Sequence, residues 1–334
     1  MKRQLFLTSV PSFYKINLFN ELSKIHVVYV FYTFRSKIQR KSNFFLSATE
    51  NYKIIYNKSV FNLILSVFKV DEIFFGGWDD LYYYLLVLFS KKEKNVLILE
   101  SSILEYNNTT FFNKLKNTIK YFYLKKFSKV IVSGIPHKFL LEKLNFKGEI
   151  IISQGVGVLD FNYPQVKKKY ITQFDNKFLF IGRDSPEKGL ENLLHIFKKH
   201  NNWKLNILGD FSNQNLYPEC ANVSFHGYVN RNNITKHFDN NSVLIVPSNL
   251  EPWGLVVEEA LYHGMPVIVS SKVGCAQDFV INKETGLVYE SDNSFSLEEK
   301  IIQMSDVNLY NKFINNINNI NFDKHKSHYV KSFL

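Results

Sequence analysis

One stretch of this chain constrains the fold more than any other, because two short apolar runs rich in Val and Ile flank a single predicted helix. The runs are Val243–Pro247 and Pro266–Ser270, and their composition is typical of strands buried on both faces of a parallel sheet. The helix should begin near Trp253 or Gly254 and end at Gly264, just before a proline. The stretch therefore predicts a strand–loop–helix–strand unit.

Acidic residues surround the start of this predicted helix. The unpaired first-turn N–H groups of such a helix bind anions, yet Glu251 precedes the helix and Glu258 and Glu259 lie in its first turns. A ligand with phosphate and hydroxyl groups side by side removes the conflict, because carboxylates accept hydrogen bonds from sugar hydroxyls. The pattern thus favours a sugar nucleotide. In the alternative interpretation, the acids only complement the helix macrodipole, at up to about 1 kcal/mol each.

The rest of the chain alternates apolar runs with helical patterns, which is typical of doubly wound α/β domains. Strands are expected at residues 4–10, 26–34, 53–56, 72–75, 95–100, 129–133, 149–153, 178–181, 204–209 and 223–225. Helices are expected near residues 12–24, 59–69, 78–91, 108–127, 137–144, 297–304 and 309–320, with a further one that starts at Pro186 after a Ser185 cap. Because 334 residues exceed what one core usually organises, we expect two Rossmann-like domains, at residues 1–160 and 161–320, with residues 321–334 crossing back to the first.

Glu251 and Glu259 are separated by seven residues, and Pro-Trp-Gly follows the first of them. This spacing, with the flanking sequence SSKVGCAQDFVINKETGLVY, resembles the E-x7-E signature of the retaining glycosyltransferases of family 4. Shorter similarities lie in VPSFYKINLFNEL and in IIISQGVGVLDF, where Gln154 and Gly157 replace the Asn and Asp of the family. The resemblance implies the GT-B fold, in which two Rossmann-like domains face a cleft and the second domain binds a nucleotide-sugar donor.

The resemblance also implies roles for individual residues of the second domain. Arg183 and Lys188 would bind the donor diphosphate, Glu251 a hydroxyl of the donor sugar, and Glu259 the ribose. The other expected donor contacts are Tyr228, Val229, Gly254, Leu255 and Val256. In the alternative interpretation, Arg183 only pairs with a neighbouring acid on the surface.

Acceptor contacts are expected at the carboxyl ends of strands in the first domain, where open parallel sheets bind their ligands. Ser9 and Lys15 follow the first predicted strand, and Glu100 and Ser101 end another. The chain departs here from many members of the family, since its first loop has no pair of glycines and LILESSI has no His. These four residues form the acceptor-side prediction.

The net positive charge of the chain comes from its first half. Residues 1–154 carry 23 Lys and Arg and 11 Asp and Glu, whereas residues 155–334 carry 18 Lys and Arg and 19 Asp and Glu. The asymmetry suggests an anionic partner, and a genome that favours Lys codons is the alternative. The stretch Phe111–Lys129 has six Lys and no acid, so its Lys and aromatic side chains are expected to contact an anionic membrane surface. The residues expected to form the buried side of this helix are Phe112, Leu115, Ile119 and Phe122.

The sequence gives no indication of a cofactor, a metal or a membrane span. It has no Asp-x-Asp triplet and no Cys/His cluster, and no apolar run approaches the roughly 20 residues that cross a bilayer. Only Cys220 and Cys275 occur, which does not suggest a disulfide framework. We therefore expect a cytoplasmic enzyme, peripheral on the inner face of the plasma membrane, that uses no metal.

Together these features predict a retaining, metal-independent hexosyltransferase with a UDP-linked donor. The expected acceptor is a glycan or lipid-linked oligosaccharide of bacterial surface polysaccharide synthesis. A sugar-nucleotide epimerase of the same fold is one alternative, and a glycosyltransferase that acts on nucleic acid or protein is another. Nucleic acid is not the expected partner, because no helix has the aromatic and Gly-rich sequence of an RNA-binding module.

Overall fold

The structure is a computed structural model that describes residues 1–33, 51–55, 60–157, 164–211, 217 and 220–334. It divides the chain into two compact units, one of Met1–Phe161 with Asp323–Leu334 and one of Asn162–Phe322. The sequence placed the boundaries after residues 160 and 320. The predicted ends of two strands, Phe34 and Tyr56, lie outside the described residues.

The first unit is built on a parallel sheet of seven strands. They are β1 (Arg3–Thr8), β2 (Val27–Tyr32), β3 (Lys53–Ile54), β4 (Glu72–Phe75), β5 (Asn95–Leu99), β6 (Lys129–Val132) and β7 (Glu149–Ile152). Their order is β3-β2-β1-β4-β5-β6-β7, and Leu5 of β1 lies opposite Tyr29 of β2 and Ile73 of β4. The order reverses between β1 and β4, as in doubly wound nucleotide-binding sheets.

Helices cover both faces of this sheet. The helices of the first unit that precede its last segment are α1 (Phe13–Ser23), α2 (Val60–Phe68), α3 (Leu81–Phe89), α4 (Phe111–Leu124) and α5 (Ile135–Lys143). The helices α2 to α5 pack on one face around Phe75 and Leu97, while α1 packs on the other around Phe6 and Phe74. Alternate side chains of each strand therefore serve the two cores.

The second unit repeats this architecture with six parallel strands. They are β8 (Lys177–Ile181), β9 (Lys204–Leu208), β10 (Val223–Phe225), β11 (Val243–Val246), β12 (Val267–Ser270) and β13 (Gly286–Tyr289), in the order β10-β9-β8-β11-β12-β13. The helices are α6 (Leu190–Phe197), α7 (Arg231–Asp239), α8 (Leu255–Tyr262), α9 (Ser294–Met304) and α10 (Val307–Asn318). Since β11, α8 and β12 follow one another, the predicted strand–loop–helix–strand unit and the two-sheet α/β fold are confirmed.

A last helix, α11 (Phe322–Lys331), belongs to the first unit. Tyr329 and Phe333 enter the core around Phe6, and the carbonyl of Phe333 accepts a 2.9 Å hydrogen bond from the Gln4 side-chain amide. The last residues of the sequence therefore complete the α1 face of the first sheet.

The prediction for the start of α6 was wrong. Pro186–Lys188 forms a 3-10 turn without a Ser185 side-chain cap, and Gly189, with φ of 69°, separates this turn from α6. A Cβ on Gly189 would lie 2.0 Å from the carbonyl oxygen of Pro247. The chain thus passes too close to the end of β11 for an L side chain, and the α-helix begins only after this crossing.

The prediction for the buried side of α4 was also wrong. Its inward contacts come from Tyr123 and Leu124, which are buried in the core of the first unit. The four residues expected there are all exposed, namely Phe112, Leu115, Ile119 and Phe122. Within the part of the chain that the structure describes, no helix is long and apolar enough to cross a membrane.

Replacing Phe178 with Ala should lower the free energy of unfolding by about 3–5 kcal/mol, because a fully buried ring is lost. This ring packs against Phe197 and Trp203 in the second core. The control is Phe295→Ala, because the Phe295 side chain is 77% exposed. Urea denaturation measures both changes, and equal losses would contradict the core assigned to this unit.

Candidate functional site

An ion pair joins two of the predicted donor-site residues at the carboxyl edge of the second sheet. The ammonium of Lys188, in the loop after β8, donates to the Oε2 atom of Glu251, in the loop after β11. The side chains are only 18% and 17% exposed. The carboxylate of Glu251 therefore neutralises the charge of Lys188 at this edge.

Backbone hydrogen bonds fix the loop that carries Glu251. Its N–H donates to the carbonyl of Lys272 at 3.0 Å, and its carbonyl accepts from the N–H of Gly274 at 2.8 Å. The N–H of Asn249 donates to the carbonyl of Glu187 at 2.8 Å. The loops after β8, β11 and β12 are thus tied together around one carboxylate.

The start of α8 depends on Gly254, whose φ is 102°. A Cβ at this position would lie 2.8 Å from Cγ1 of Val273 and 3.2 Å from Sγ of Cys275, so glycine lets the loop after β12 approach the helix. No side chain caps α8, and the first two helical residues, Leu255 and Val256, are half-buried. This helix start suits an anionic group of a ligand.

The three acids of this stretch have different environments. Glu258 is 1% exposed, and its carboxylate accepts a hydrogen bond from the Nε1–H of Trp253. Burial raises the pKa of the Cys275 thiol, and the charges of Glu258 and Glu251 raise it further. Glu259 is half-buried. Glu258 is therefore part of the internal structure, while Glu251 and Glu259 stay the candidates for ligand contact.

Arg183 lies at the same edge, just after β8. Its side chain is 62% exposed, and its guanidinium is 3.9 Å from Oε1 of Glu187. Exposed pairs at this distance contribute little to stability, so the pair leaves the guanidinium available to a ligand. Asp184, the acid next to Arg183 in sequence, accepts a 2.6 Å hydrogen bond from the hydroxyl of Tyr217.

The loop after β10 contains Tyr228 and Val229. It is held beside the end of β9, because the N–H of Gly209 donates to the carbonyl of Gly227 at 2.9 Å. The N–H of Gly182 donates in turn to the carbonyl of Leu208 at 3.0 Å. The ends of β8, β9 and β10 therefore follow one another, with the half-buried Val229 and the exposed Tyr228 beyond them.

A second ion pair lies at the carboxyl edge of the first sheet. The ammonium of Lys15 is 3.2 Å from Oε1 of Glu100 and donates to the hydroxyl of Thr8 at 3.2 Å. Burial alone would lower the pKa of Lys15, but the charge and hydrogen bond of Glu100, together with Tyr14 and Tyr83, outweigh burial and hold this pKa above its ordinary value. Two of the four predicted acceptor-side residues thus form one charged pair.

All four acceptor-side residues line one cavity of about 150 Å³. Asp79 and Asp80, which also line this cavity, were not predicted from the sequence. The segment GGWDD after β4 could have identified them, because it combines flexible glycines with acids at the carboxyl end of a strand, where such sheets bind ligands.

Below this cavity, His137 is fully buried at the start of α5, and its Nε2 atom is 3.2 Å from the carbonyl of Glu100. Burial lowers the pKa of His137 to about 4. The ring is therefore neutral near pH 7 and supports the Glu100 segment.

Residues 164–319, most of the second unit, match the family model described as glycosyl transferases group 1. The capsular polysaccharide biosynthesis glycosyltransferase CapM of Staphylococcus aureus is 27% identical over 194 residues, which is 51% of this chain and 50% of that protein. The chain spans between 38% and 50% of the length of three curated relatives that it matches.

Solved structures resemble the whole chain. The sucrose-phosphate synthase of Thermosynechococcus elongatus has a TM-score of 0.74 at 17% identity, and the match covers 99% of this chain and 98% of the other. Anabaena HepE in complex with UDP-glucose has a TM-score of 0.71 at 15% identity, with 100% and 99% covered. The chain therefore has the GT-B fold, and its second unit carries the group 1 glycosyl transferase sequence pattern.

Replacing Glu258 with Ala should lower the free energy of unfolding by about 2–4 kcal/mol, because the Trp253 N–H loses an acceptor and a cavity opens. Glu258→Gln keeps an acceptor and should recover most of this loss. Glu259→Ala is the neighbouring control and should cost less than about 1 kcal/mol. If urea denaturation gives equal losses for Glu258→Ala and Glu259→Ala, the internal role of Glu258 is wrong.

The burial of His137 should make the first unit less stable in mild acid. An unfolded His binds its proton near pH 6.5, whereas His137 in the folded state binds it only near pH 4. Between these values the unfolded state holds the extra proton, so this group lowers stability by about 2 kcal/mol from pH 7 to pH 5.

The variant His137→Asn should lose this part of the pH dependence, and the exposed His195→Asn should keep it. Urea midpoints at the two pH values measure the effect. Identical pH dependence in wild type and His137→Asn would refute the neutral buried ring.

Proposed function

We propose that this chain is a retaining, metal-independent glycosyltransferase of bacterial surface polysaccharide synthesis. It transfers a hexose from a UDP-linked donor to a glycan or lipid-linked oligosaccharide. The observation that carries the proposal is the Lys188–Glu251 ion pair beside the start of α8, within the segment that matches the group 1 glycosyl transferases. The capsular polysaccharide relative and the UDP-glucose complex of a structural neighbour support the acceptor class and the donor class.

In this proposal the donor separates the ion pair, because it gives Lys188 and Glu251 each a new partner. Lys188 turns from Glu251 to the diphosphate, where Arg183 joins it, and Glu251 accepts a hydrogen bond from a hydroxyl of the sugar. Glu259 accepts from the ribose hydroxyls, and the loop with Tyr228 and Val229 holds the base. The amides of Gly254, Leu255 and Val256 complete the diphosphate site.

The bond between the anomeric carbon and the diphosphate oxygen breaks first in this mechanism, with oxocarbenium character. The acceptor oxygen bonds to the same face of that carbon, and the leaving phosphate takes the acceptor proton. Preorganised groups that stabilise such developing charge are worth roughly 3–4 kcal/mol each. Arg183 and Lys188 supply this stabilisation without a metal ion.

The acceptor hydroxyl would be held in the first unit. Lys15 and Glu100 offer a donor and an acceptor at the edge of the 150 Å³ cavity, and Ser9 and Ser101 add two hydroxyl groups. Carbohydrate hydroxyls both donate and accept, so this mixed set suits a glycan.

A thermal-shift screen of nucleotide sugars should identify the donor, because a ligand at 100 times its Kd stabilises a protein by about 2.7 kcal/mol. With that donor, UDP release should depend on an added lipid-linked glycan fraction. An epimerase would release UDP, or convert the donor, without an acceptor.

Arg183→Ala and Lys188→Ala should each lower acceptor-dependent UDP release by about 100- to 1000-fold, since each removes charge stabilisation from the leaving group. The exposed Lys198→Ala is the matched control and should retain full activity. Thermal unfolding of each variant verifies the fold. Full activity in folded Arg183→Ala and Lys188→Ala proteins would refute the site.

A further inference from the structure

Exposed apolar side chains are concentrated on three neighbouring helices of the first unit. Within the described part of the chain, 11 of the 21 large apolar side chains that are exposed lie on α2, α3 and α4. On α4 they form a stripe on the solvent side, opposite the buried Leu124. The members of this stripe are Phe111, Phe112, Leu115, Ile119 and Phe122.

The other two helices extend this stripe. Phe61 and Phe68 are exposed on α2, and Leu81 and Leu88 are exposed on α3. The helix α3 packs against α2, and a tilted pair of tyrosine rings with centroids 4.5 Å apart joins α3 to α4. We call the exposed apolar side chains of these three helices the outer face. All three helices cover the same side of the first sheet, so the outer face lies on that side of the first unit.

Lysines border the outer face. At 100° per residue, Lys114 and Lys125 lie on one side of the α4 stripe and Lys116 lies on the other. The ammonium of Lys125 is 5.2 Å from the ring centroid of Phe122, so a cation and an exposed aromatic ring share one site. The whole stretch Phe111–Lys129 contains no acid. The partner of the outer face must therefore offer apolar volume together with negative charge.

A basic cavity lies at the C-terminal end of α4. It has a volume of about 220 Å³, its lining includes Lys92, Lys125 and Lys147, and it contains no Asp or Glu. Three ammonium groups without a lining acid favour a phosphate group. A phospholipid headgroup supplies this phosphate next to the acyl chains that would cover the neighbouring apolar stripe.

We propose that the outer face docks the chain on an anionic phospholipid bilayer. The aromatic and aliphatic side chains of α2, α3 and α4 enter the boundary between headgroups and acyl chains, and the lysines at the rim bind lipid phosphates. The proposal rests on exposed apolar side chains and lysines of the first unit, so its test is independent of the donor site proposed in the second unit.

The test measures binding to vesicles of phosphatidylcholine alone and to vesicles of equal parts phosphatidylcholine and phosphatidylglycerol. The variant combines Phe112→Ser with Ile119→Ser, and its matched control combines Phe295→Ser with Ile302→Ser. Both pairs have one Phe and one Ile, seven residues apart and exposed on a helix. We expect the wild type and the control to bind the anionic vesicles. The variant should bind them at least about tenfold more weakly.

A second pair of variants tests the charge. Lys114→Glu with Lys116→Glu should abolish the preference for anionic vesicles, whereas Lys198→Glu with Lys236→Glu, exposed on the second unit, should preserve it. Unchanged binding of the Phe112/Ile119 variant, or equal binding of the wild type to both vesicle types, overturns the proposal. So does sedimentation velocity that shows a wild-type dimer and a monomeric Phe112/Ile119 variant, because a second copy would then cover the outer face.

Discussion

The arrangement of the loops at the carboxyl edge of the second sheet depends on the ion pair between Lys188 and Glu251. Each charge is largely withdrawn from water, and removing one partner would leave the other buried without compensation. The two residues come from different loops, so the pair forms only when those loops meet. Their meeting depends on the backbone, because Gly189 and Gly254 occupy positions where a Cβ would strike a neighbouring segment.

This arrangement explains how one edge of a sheet can hold both signs of charge. Lys188 and Glu251 neutralise each other, and in the proposed function a molecule with adjacent phosphate and hydroxyl groups offers each of them a new partner. Glu258 takes no part in this exchange, since its carboxylate is inside the unit with Trp253. The neighbouring acids of one helix thus divide between internal structure, for Glu258, and the proposed ligand contact, for Glu259.

Most of the fold follows from local sequence. Short Val- and Ile-rich runs such as β11 and β12 are buried on both faces, so apolar residues occupy successive positions and the strands are easily recognised in the sequence. The strand β13 was missed because it has only four residues and begins with a glycine, which gives a weak strand pattern. The helix α7 was missed because it is rich in Asn and has Phe238 as a fully buried residue with few apolar neighbours in sequence.

The sequence was less informative about whether a side chain points into the core or toward solvent. The apolar stripe of α4 has the same spacing whether it points inward or outward, and only the packing of Tyr123 and Leu124 decides which. The roles of Glu258 and Glu259 differ in the same way, because the Trp253 ring that binds Glu258 is placed by tertiary contacts. The sequence places Lys188 and Glu251 after two different strands, while their mutual contact needed the three-dimensional path of both loops.

The return of α11 to the first unit has a consequence for biosynthesis. A ribosome delivers the seven strands of the first sheet long before Tyr329 and Phe333, which cover the α1 side of that sheet. The second unit is contiguous in sequence, so all of its strands are synthesised before Tyr329 and Phe333 are added. The core on the α1 side of the first sheet is therefore completed by residues that are made after the strands of both sheets.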